Sequence, residues 1–278
     1  MAAVVVVALL VVFVVLPALT TTSSSSVPGG GSEVLTYRGA APIANHTADG
    51  YAGGGWTLLF AIGLVSATNE SYPANTSSLG NLTSGCTVKI VTGSSTLTLP
   101  EFLGNRSSGE SPAWEFGYRN SSDTIAIVSV INGHGSVLAT LSGVTCAFYA
   151  QLLSPVPGSV IDSSQAALAV RPHAAAFLAL HPNATAEFGL IGGIAFLGQS
   201  TPEWSVTYNT CALSPSATGT GDQFNATVNA LTGSVIKTNS TTGISCGGGP
   251  VAVVPMSGPH ALAPSGTPDA RARSKSSA

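Results

Sequence analysis

Charged side chains are scarce in this sequence. Asp, Glu, Lys and Arg together make up 8% of its 278 residues, against about 25% in an average soluble protein. With a net charge of -3, the chain offers no basic surface of the size that phosphate backbones require. We therefore expect no nucleic-acid partner. Few ionisable groups also predict a fold that tolerates acidic surroundings.

Motifs for metal, redox and phosphate chemistry are missing as well. The sequence has no His-Glu-x-x-His helix, no phosphate-binding loop, no Cys-x-x-Cys pair and no Cys/His cluster with zinc spacing. We interpret each histidine as a structural or solvated residue. The five are His46, His134, His173, His181 and His260. The sequence therefore predicts a protein that is not an enzyme and that has no catalytic residues, cofactor or metal.

A nine-residue cassette is present and occurs twice. Pro112–Asn120 has the sequence PAWEFGYRN, and Pro202–Thr210 has the sequence PEWSVTYNT. Both cassettes lead through an alternating stretch to a Gly-Ser-Val tripeptide and then to a cysteine, Cys146 in the first half and Cys246 in the second. The repetition predicts two related units.

Aromatic residues stand at alternate positions of both cassettes, and alternate residues of a strand share one face. A buried core is the expected role of these side chains, and an exposed ligand platform is the alternative. They are Trp114, Phe116, Tyr118, Trp204 and Tyr208. The glutamates beside the tryptophans, Glu115 and Glu203, are expected at outward-facing strand positions rather than as an acid–base pair.

Four cysteines in an exported chain indicate two disulfides, and four cysteines allow three pairings. Cys86 and Cys146 flank the first cassette, whereas Cys211 and Cys246 bracket the last strand of the second half. One bridge in each unit is the simplest pairing.

The first 19 residues form the longest apolar run. Ala2–Leu16 consists almost wholly of Ala, Val, Leu and Phe, and Pro17–Leu19 extends it. A run of about 18 residues is at the lower limit for crossing a bilayer and is long for a cleaved signal peptide. An uncleaved membrane anchor, a cleaved signal peptide and a buried helix remain as alternatives. The first two place the remaining chain outside the cytoplasm.

Glycosylation sequons support that location. Most asparagines begin an Asn-x-Ser/Thr sequon, whereas the Ser and Thr content predicts about three by chance. Such an excess is typical of a heavily glycosylated archaeal or eukaryotic surface protein, and coincidence in a Ser/Thr-rich chain is the alternative. The sequons begin at Asn45, Asn69, Asn75, Asn81, Asn105, Asn120, Asn183, Asn225 and Asn239.

Changes in composition divide the chain into five segments. Thr20–Ser32 has the Ser, Thr and Gly content of a flexible spacer, and the C-terminal residues have the composition of a disordered tail. Pro155 and Pro157 stiffen a predicted connection, Phe148–Ser159, between the repeats. The segments are an apolar signal or anchor helix (1–19), a stalk (20–50), a first domain (51–150), a second domain (151–246) and a disordered tail (247–278).

The expected fold class is α+β, with a helix packed on an antiparallel sheet in each of two tandem small domains. In the second half, Asp162 and Gln165 form a capping-box pattern at a helix start, and Pro172 either kinks that helix or begins another. In the first half, Trp56–Ala67 is apolar without a clear period, and its length favours a helix. The predicted strands of the second half are Glu187–Leu197, interrupted at Gly192-Gly193, Trp204–Leu213, and Phe224–Lys237 with a turn at Thr232-Gly233.

The segment Phe224–Ile236 (FNATVNALTGSVI) resembles the closing strand of a PepSY domain, in which an alternating strand ends in a Val-Asp-Ala-x-Thr-Gly-x-Val turn. Asn229 stands where that family often has Asp. A helix that ends before Pro182 and a strand with Trp204 precede the segment, as they do in the family. The resemblance covers most of the second half, and the first half matches less closely around Val130–Val137.

This resemblance implies tandem PepSY-like modules that are extracytoplasmic and non-catalytic. Some PepSY-like domains occur in peptidase propeptides as inhibitors or folding aids, which implies a protein partner such as an envelope peptidase. We expect a glycosylated protein that is held to the membrane by its N-terminal helix or secreted. A structural envelope or filament subunit is an alternative from another class, and a secreted hydrolase is a further one.

Overall fold

The computed structural model describes residues 33–51, 54–66, 70–73, 85–91, 96–99, 101–102, 104–194, 200–211 and 219–246. The helices are α1 (Tyr37–Gly50), α2 (Val144–Leu152) and α3 (Ser163–Leu180). The strands are β1 (Thr57–Val65), β2 (Glu70–Pro73), β3 (Thr87–Ile90), β4 (Thr96–Leu99), β5 (Ala113–Arg119), β6 (Ile125–Ile131), β7 (His134–Ser142), β8 (Thr185–Ile191), β9 (Glu203–Asn209), β10 (Thr220–Asn229) and β11 (Val235–Ser245).

Nine of these strands form one antiparallel sheet in the order β11-β10-β9-β8-β1-β5-β6-β7-β3, and β2 pairs with β4 separately. The strands of both halves of the chain therefore lie in a single sheet, which is joined where β1 pairs with β8. The α+β class is confirmed. The expected division into two domains is not confirmed, because the two sets of strands are continuous.

A pseudo-two-fold axis relates the two halves of the sheet. Trp114 in β5 and Trp204 in β9 are the equivalent tryptophans of the cassettes. The residue after Trp114 is opposite Ile62 of β1, and the residue after Trp204 is opposite Gly189 of β8. Ile62 and Gly189 are therefore equivalent, and they are also partners of each other. Equivalent residues of an antiparallel pair meet only at a two-fold axis, so the sequence repeat is a structural repeat.

Helices α1 and α3 lie on the same face of the sheet, α1 over the first half and α3 over the second. Helix α1 directs alanines at four-residue spacing towards the sheet, and residues at that spacing share one helix face. Their small side chains let the helix approach the aromatic layer. These fully buried alanines are Ala40, Ala44 and Ala48. Helix α3 begins with the predicted capping box and continues unbroken through Pro172.

The opposite face of the sheet differs between the halves. Over the first half it is apolar and lies under α2, where Ile62, Ile127 and Ala150 belong to a second buried cluster. Over the second half the same face carries hydroxyl, amide and carboxyl groups, because strand residues alternate between faces. These polar residues are Glu187, Ser205, Thr207, Asn225 and Thr227.

Two predictions for the first half are wrong. Trp56–Ala67, predicted as a helix, contains strand β1. Both faces of this strand are buried, so its apolar run has no period of two. The assignment of residues 37–50 to the stalk is wrong as well, because Tyr37–Gly50 is helical and packs on the sheet. In addition, the predicted connection Phe148–Ser159 begins within helix α2.

The last predicted strand, Phe224–Lys237, with its predicted turn at Thr232-Gly233, lies in the hairpin of β10 and β11. Strand β10 ends at Asn229, and β11 extends to Ser245. The polar run after Lys237 hid the length of β11, since nearly all of it is exposed and its residues do not alternate.

The apolar segment 1–19, the spacer 20–32 and the tail 247–278 lie outside the described residues. Within the residues that the structure describes, no helix is both long enough and apolar enough to span a membrane.

Candidate functional site

Each disulfide ties an outermost strand of the sheet to another part of the same half. Cys86 immediately precedes β3 and is bonded to Cys146 in α2. Cys246 immediately follows β11 and is bonded to Cys211, which lies just beyond β9. The bridges therefore lie one in each half, which is the simplest pairing suggested by the sequence. Disulfides persist in oxidising compartments, and this agrees with an extracellular location.

The two edges of the sheet are unequal. Strand β3 has four residues, one of which is Lys89, and short strands with lysines are poor templates for another strand. Strand β11 has eleven residues, and nine of them are exposed. Within the described chain it pairs with β10 alone. Among the described strands, its outer edge is therefore the longest one left unpaired.

Two sequons lie side by side near this edge. Asn225 of β10 and Asn239 of β11 are cross-strand partners. Oδ1 of Asn225 accepts a hydrogen bond from Thr207 (2.7 Å), and Nδ2 of Asn239 donates to Thr241 (3.1 Å). Strand side chains project from a sheet face and not along its plane. A glycan on Asn239 would therefore leave the outer backbone edge of β11 open.

The remaining sequons are spread over the molecule. The side chain of Asn120 is half-buried and accepts from the backbone N–H groups of Ser122 and Thr124 in the turn before β6. The sequon asparagines at exposed positions are Asn45, Asn105 and Asn183. Those outside the described residues are Asn69, Asn75 and Asn81.

The aromatic residues of the cassettes belong to the core, as predicted. All five are at most 2% exposed, so they offer no ligand platform. The two tryptophans meet edge to face across the pseudo-two-fold axis, with ring centroids 6.4 Å apart. The indole N–H of Trp114 donates to the carbonyl of Leu35 (2.7 Å), and that of Trp204 donates to the carbonyl of Ile161 (3.1 Å). Each acceptor precedes the N-cap of a helix, so each tryptophan fixes one helix start.

Glu115 is buried, and the prediction that it faces outward is wrong. It is 5% exposed and lies on the sheet face that carries the second buried cluster, whereas Glu203 is half-buried. A second buried carboxyl, Glu187 on β8, is 7% exposed. Sequence analysis missed Glu187, although an acidic residue within an otherwise apolar strand is a usable signal.

Burial shifts the acidity of both groups. Loss of hydration raises the pKa of Glu115 to about 8, and the nearby charge of Glu187 adds to the rise. Loss of hydration alone raises the pKa of Glu187 to about 7. A buried carboxyl without a counter-charge is more stable in its neutral form. The pair therefore holds protons at pH values where an ordinary glutamate is ionised.

His181 and Asp222 form the one described histidine–carboxylate contact, with Nε2 of His181 3.3 Å from Oδ2 of Asp222. The sequence 243–247 nearby matches the Gly-x-Ser-x-Gly pattern of hydrolases, a match missed in the sequence analysis. Its Ser245 ends the antiparallel strand β11, and the next residue, Cys246, is in a disulfide. A nucleophile elbow instead requires a sharp turn from a strand into a helix. The structure shows no hydrogen bond between Ser245 and His181.

The other predicted histidines are not brought together. His46, His134 and His173 are exposed at separate places, and His260 is outside the described residues. No group of three or more His, Cys, Asp or Glu in the described part of the chain is placed to hold a metal ion. Comparison of the chain with protein-family models, with curated proteins and with solved structures finds no match.

Proposed function

We propose that this chain is an exported, glycosylated, non-enzymatic module that binds a partner protein along the outer edge of β11. The main support for this proposal is the strand itself, because nine of the eleven residues of β11 are exposed. An unpaired strand edge presents N–H and C=O groups at regular spacing. An extended segment of a partner satisfies them by adding a strand.

We further propose that each half is a PepSY-like module and that the partner is a peptidase of the cell envelope. The repeated unit of one helix on an antiparallel sheet supports this assignment. The turn after β10 supports it as well, because Oδ1 of Asn229 accepts from the backbone N–H groups of Leu231 (2.9 Å) and Thr232 (3.1 Å). A side-chain acceptor at that position fixes the hairpin that carries β11.

The proposed location is extracytoplasmic, with the N-terminal segment serving as an anchor or as a cleaved signal. The two disulfides and the sequons support it. Determining the mature N-terminus and the membrane fractionation of the native protein distinguishes the two alternatives. Retention of residues 2–19 in the membrane fraction indicates an anchor, whereas loss of them with soluble protein indicates secretion.

Site-specific photocrosslinking in the native organism tests the proposed binding edge. A photoreactive amino acid is placed at Thr238 or Ser240, both exposed in β11. The matched control position is Ala175, exposed on helix α3. We expect a discrete crosslinked species from both β11 positions and none from the control. Mass spectrometry of that species should identify a peptidase.

Two results decide against parts of this proposal. Equal crosslinking from Ala175 and from the β11 positions, or none at all, contradicts binding at the β11 edge. A discrete β11 crosslink to a protein other than a peptidase supports the edge and contradicts the peptidase assignment. A crosslink to a second copy of this chain favours a structural assembly.

A further inference from the structure

Two buried carboxyls flank the central strand of the sheet. Glu115 on β5 is opposite Ile62 of β1, and Glu187 on β8 is opposite Leu64 of β1. Ile62 and Leu64 are two residues apart, so both glutamates project from the same sheet face. They stand on opposite sides of β1, the strand that joins the two halves.

Among the described residues, no basic group neutralises the pair. Arg119 shares the face of Glu115, but its Nη1 donates to the carbonyl of Ala150 (3.0 Å) and its Nε lies 3.9 Å from Asp123. Strands β1 and β6 and helix α2 contain no Asp, Glu, Lys, Arg or His. On β7, His134 is exposed at the end of the strand.

The other charged groups on this sheet face are mostly acidic, and its one described lysine, Lys237 of β11, is exposed and three strands away from Glu187. Thr207 of β9 is the cross-strand partner of Glu187. Glu203 is four residues before Thr207 on the same strand, so it projects from the same face. Glu101, which pairs with Ser66 just after the end of β1, is exposed. Asp222 of β10 contacts His181 instead. The internal stretches outside the described residues, between 52 and 218, contain no charged residue or histidine.

We infer that Glu115 and Glu187 form a proton-sensitive lock on the seam between the two halves. While the carboxyls are neutral, β1 stays paired with β5 on one side and with β8 on the other. When both carboxyls ionise, two like charges lie in poorly hydrated positions, one on each side of β1. Parting β1 from β8 separates the two charges and admits water to Glu187, so the repulsion is relieved at the seam.

The direction of the pH effect follows from the raised pKa values of Glu115 and Glu187. A carboxyl whose pKa is higher in the folded state than in the unfolded state makes its full contribution to stability at pH values below its unfolded-state pKa. That contribution is lost as the pH rises through its folded-state pKa. For Glu187 and Glu115 the window runs from an ordinary value of 4.5 to folded values of about 7 and 8. The lock is therefore closed in acid and opens in mildly alkaline solution.

Urea unfolding of the full chain at pH 5 and at pH 9 tests the lock. For the wild type, we expect the unfolding constant to rise by about 100-fold or more between these pH values. The double variant Glu115→Gln/Glu187→Gln keeps the shape of both side chains without the charge, and its rise should be below about 5-fold. The matched control is Glu203→Gln, which should behave as the wild type does.

Hydrogen exchange, corrected for the intrinsic effect of pH, locates the opening. The amides of β1 and β8 should lose protection at pH 9 in the wild type while those of β6 keep it, and the double variant should keep protection in all three. Carbon-13 titration of the glutamate carboxyls adds a readout that does not depend on unfolding. In Glu187→Gln, the midpoint of Glu115 should move to lower pH, because a neighbouring negative charge is gone.

Three outcomes overturn the inference. The first is the same pH dependence in the double variant as in the wild type. The second is titration of both carboxyls near their ordinary value of 4.5. The third is equal loss of protection in β1, β8 and β6, which would indicate general unfolding instead of opening at the seam.

Discussion

Asp162 caps helix α1 as well as its own helix α3. Its Oδ1 accepts from the backbone N–H of Arg38 at 2.9 Å and from that of Ser163 at 2.9 Å. The hydroxyl of Ser163 in turn accepts from the N–H of Tyr37 (2.9 Å) and donates to the carbonyl of Gly109 (2.6 Å). The first N–H groups of a helix have no partner within it. The two helix starts on the aromatic face therefore share one set of capping groups.

Replacing Asp162 with Ala should cost more than the loss of an ordinary helix cap. An N-cap contributes about 0.5–2 kcal/mol, and this carboxylate serves two helices. We expect Asp162→Ala to lower the free energy of unfolding by about 2–3 kcal/mol in urea denaturation. Asp162→Asn keeps an acceptor and should lose less. The control Ser164→Ala removes only a hydroxyl that donates to Asp162, and an effect as large as that of Asp162→Ala would contradict the shared cap.

Tyr118 and Tyr208 are equivalent in the repeat but differ in hydrogen bonding. The Tyr118 hydroxyl donates to Oδ1 of Asn45 at 2.7 Å. The buried Tyr208 hydroxyl has no partner in the described structure. Tyr118→Phe should therefore cost about 1 kcal/mol, and Tyr208→Phe should be neutral or slightly stabilising. Thermal denaturation of the two variants measures the contrast, and equal losses would show that the hydroxyls are equivalent after all.

The cassettes allowed part of this fold to be predicted from the sequence. Alternation of aromatic residues located strands β5 and β9 and their buried face, because that pattern depends only on neighbours within one strand. The capping box at Asp162 located the start of α3 for the same reason. Helix α1 was missed because Gly39 and Pro42 give it low intrinsic propensity, and packing of its alanines on the sheet stabilises it instead.

The candidate site was harder to predict because it depends on contacts distant in sequence. Whether Glu115 faces water depends on what packs on its sheet face, where the buried cluster includes residues of α2, a helix that the sequence pattern did not indicate. Glu187 and Glu115 are brought to the same sheet face only by the pairing of β8 with β1, so their relationship could not be predicted from either strand alone. The open edge of β11 follows from its place at the end of the strand order. Local periodicity contains none of this information.

Removing either disulfide should destabilise the fold and loosen one edge of the sheet. The bridges close loops with sequence separations of 60 and 35 residues, for which loss of loop entropy predicts about 4 kcal/mol each as an upper figure. Cys86→Ala/Cys146→Ala should increase hydrogen exchange in β3, and Cys211→Ala/Cys246→Ala should increase it in β11. Each variant is the control for the other. Increased exchange at both edges in both variants would contradict local stapling.

The close packing of Phe60 on Gly117 is a feature of the first half that the pseudo-two-fold axis does not repeat in the second. These residues are cross-strand partners in the first half, and Glu187 and Thr207 are their equivalents in the second. A Cβ atom on Gly117 would collide with the Phe60 ring. Gly117→Ala should therefore cost about 1–3 kcal/mol through overpacking, measured by urea denaturation.

Gly189, at the axis, is the matched control for that substitution. A Cβ there would meet Ser205 at an ordinary distance of 3.8 Å, so Gly189→Ala should be neutral or slightly stabilising. The double variant Phe60→Leu/Gly117→Ala should regain part of the loss, because a smaller side chain then faces the new methyl group. A tolerated Gly117→Ala, or a double variant less stable than the sum of its single changes, would show that Phe60 does not pack over Gly117 as described.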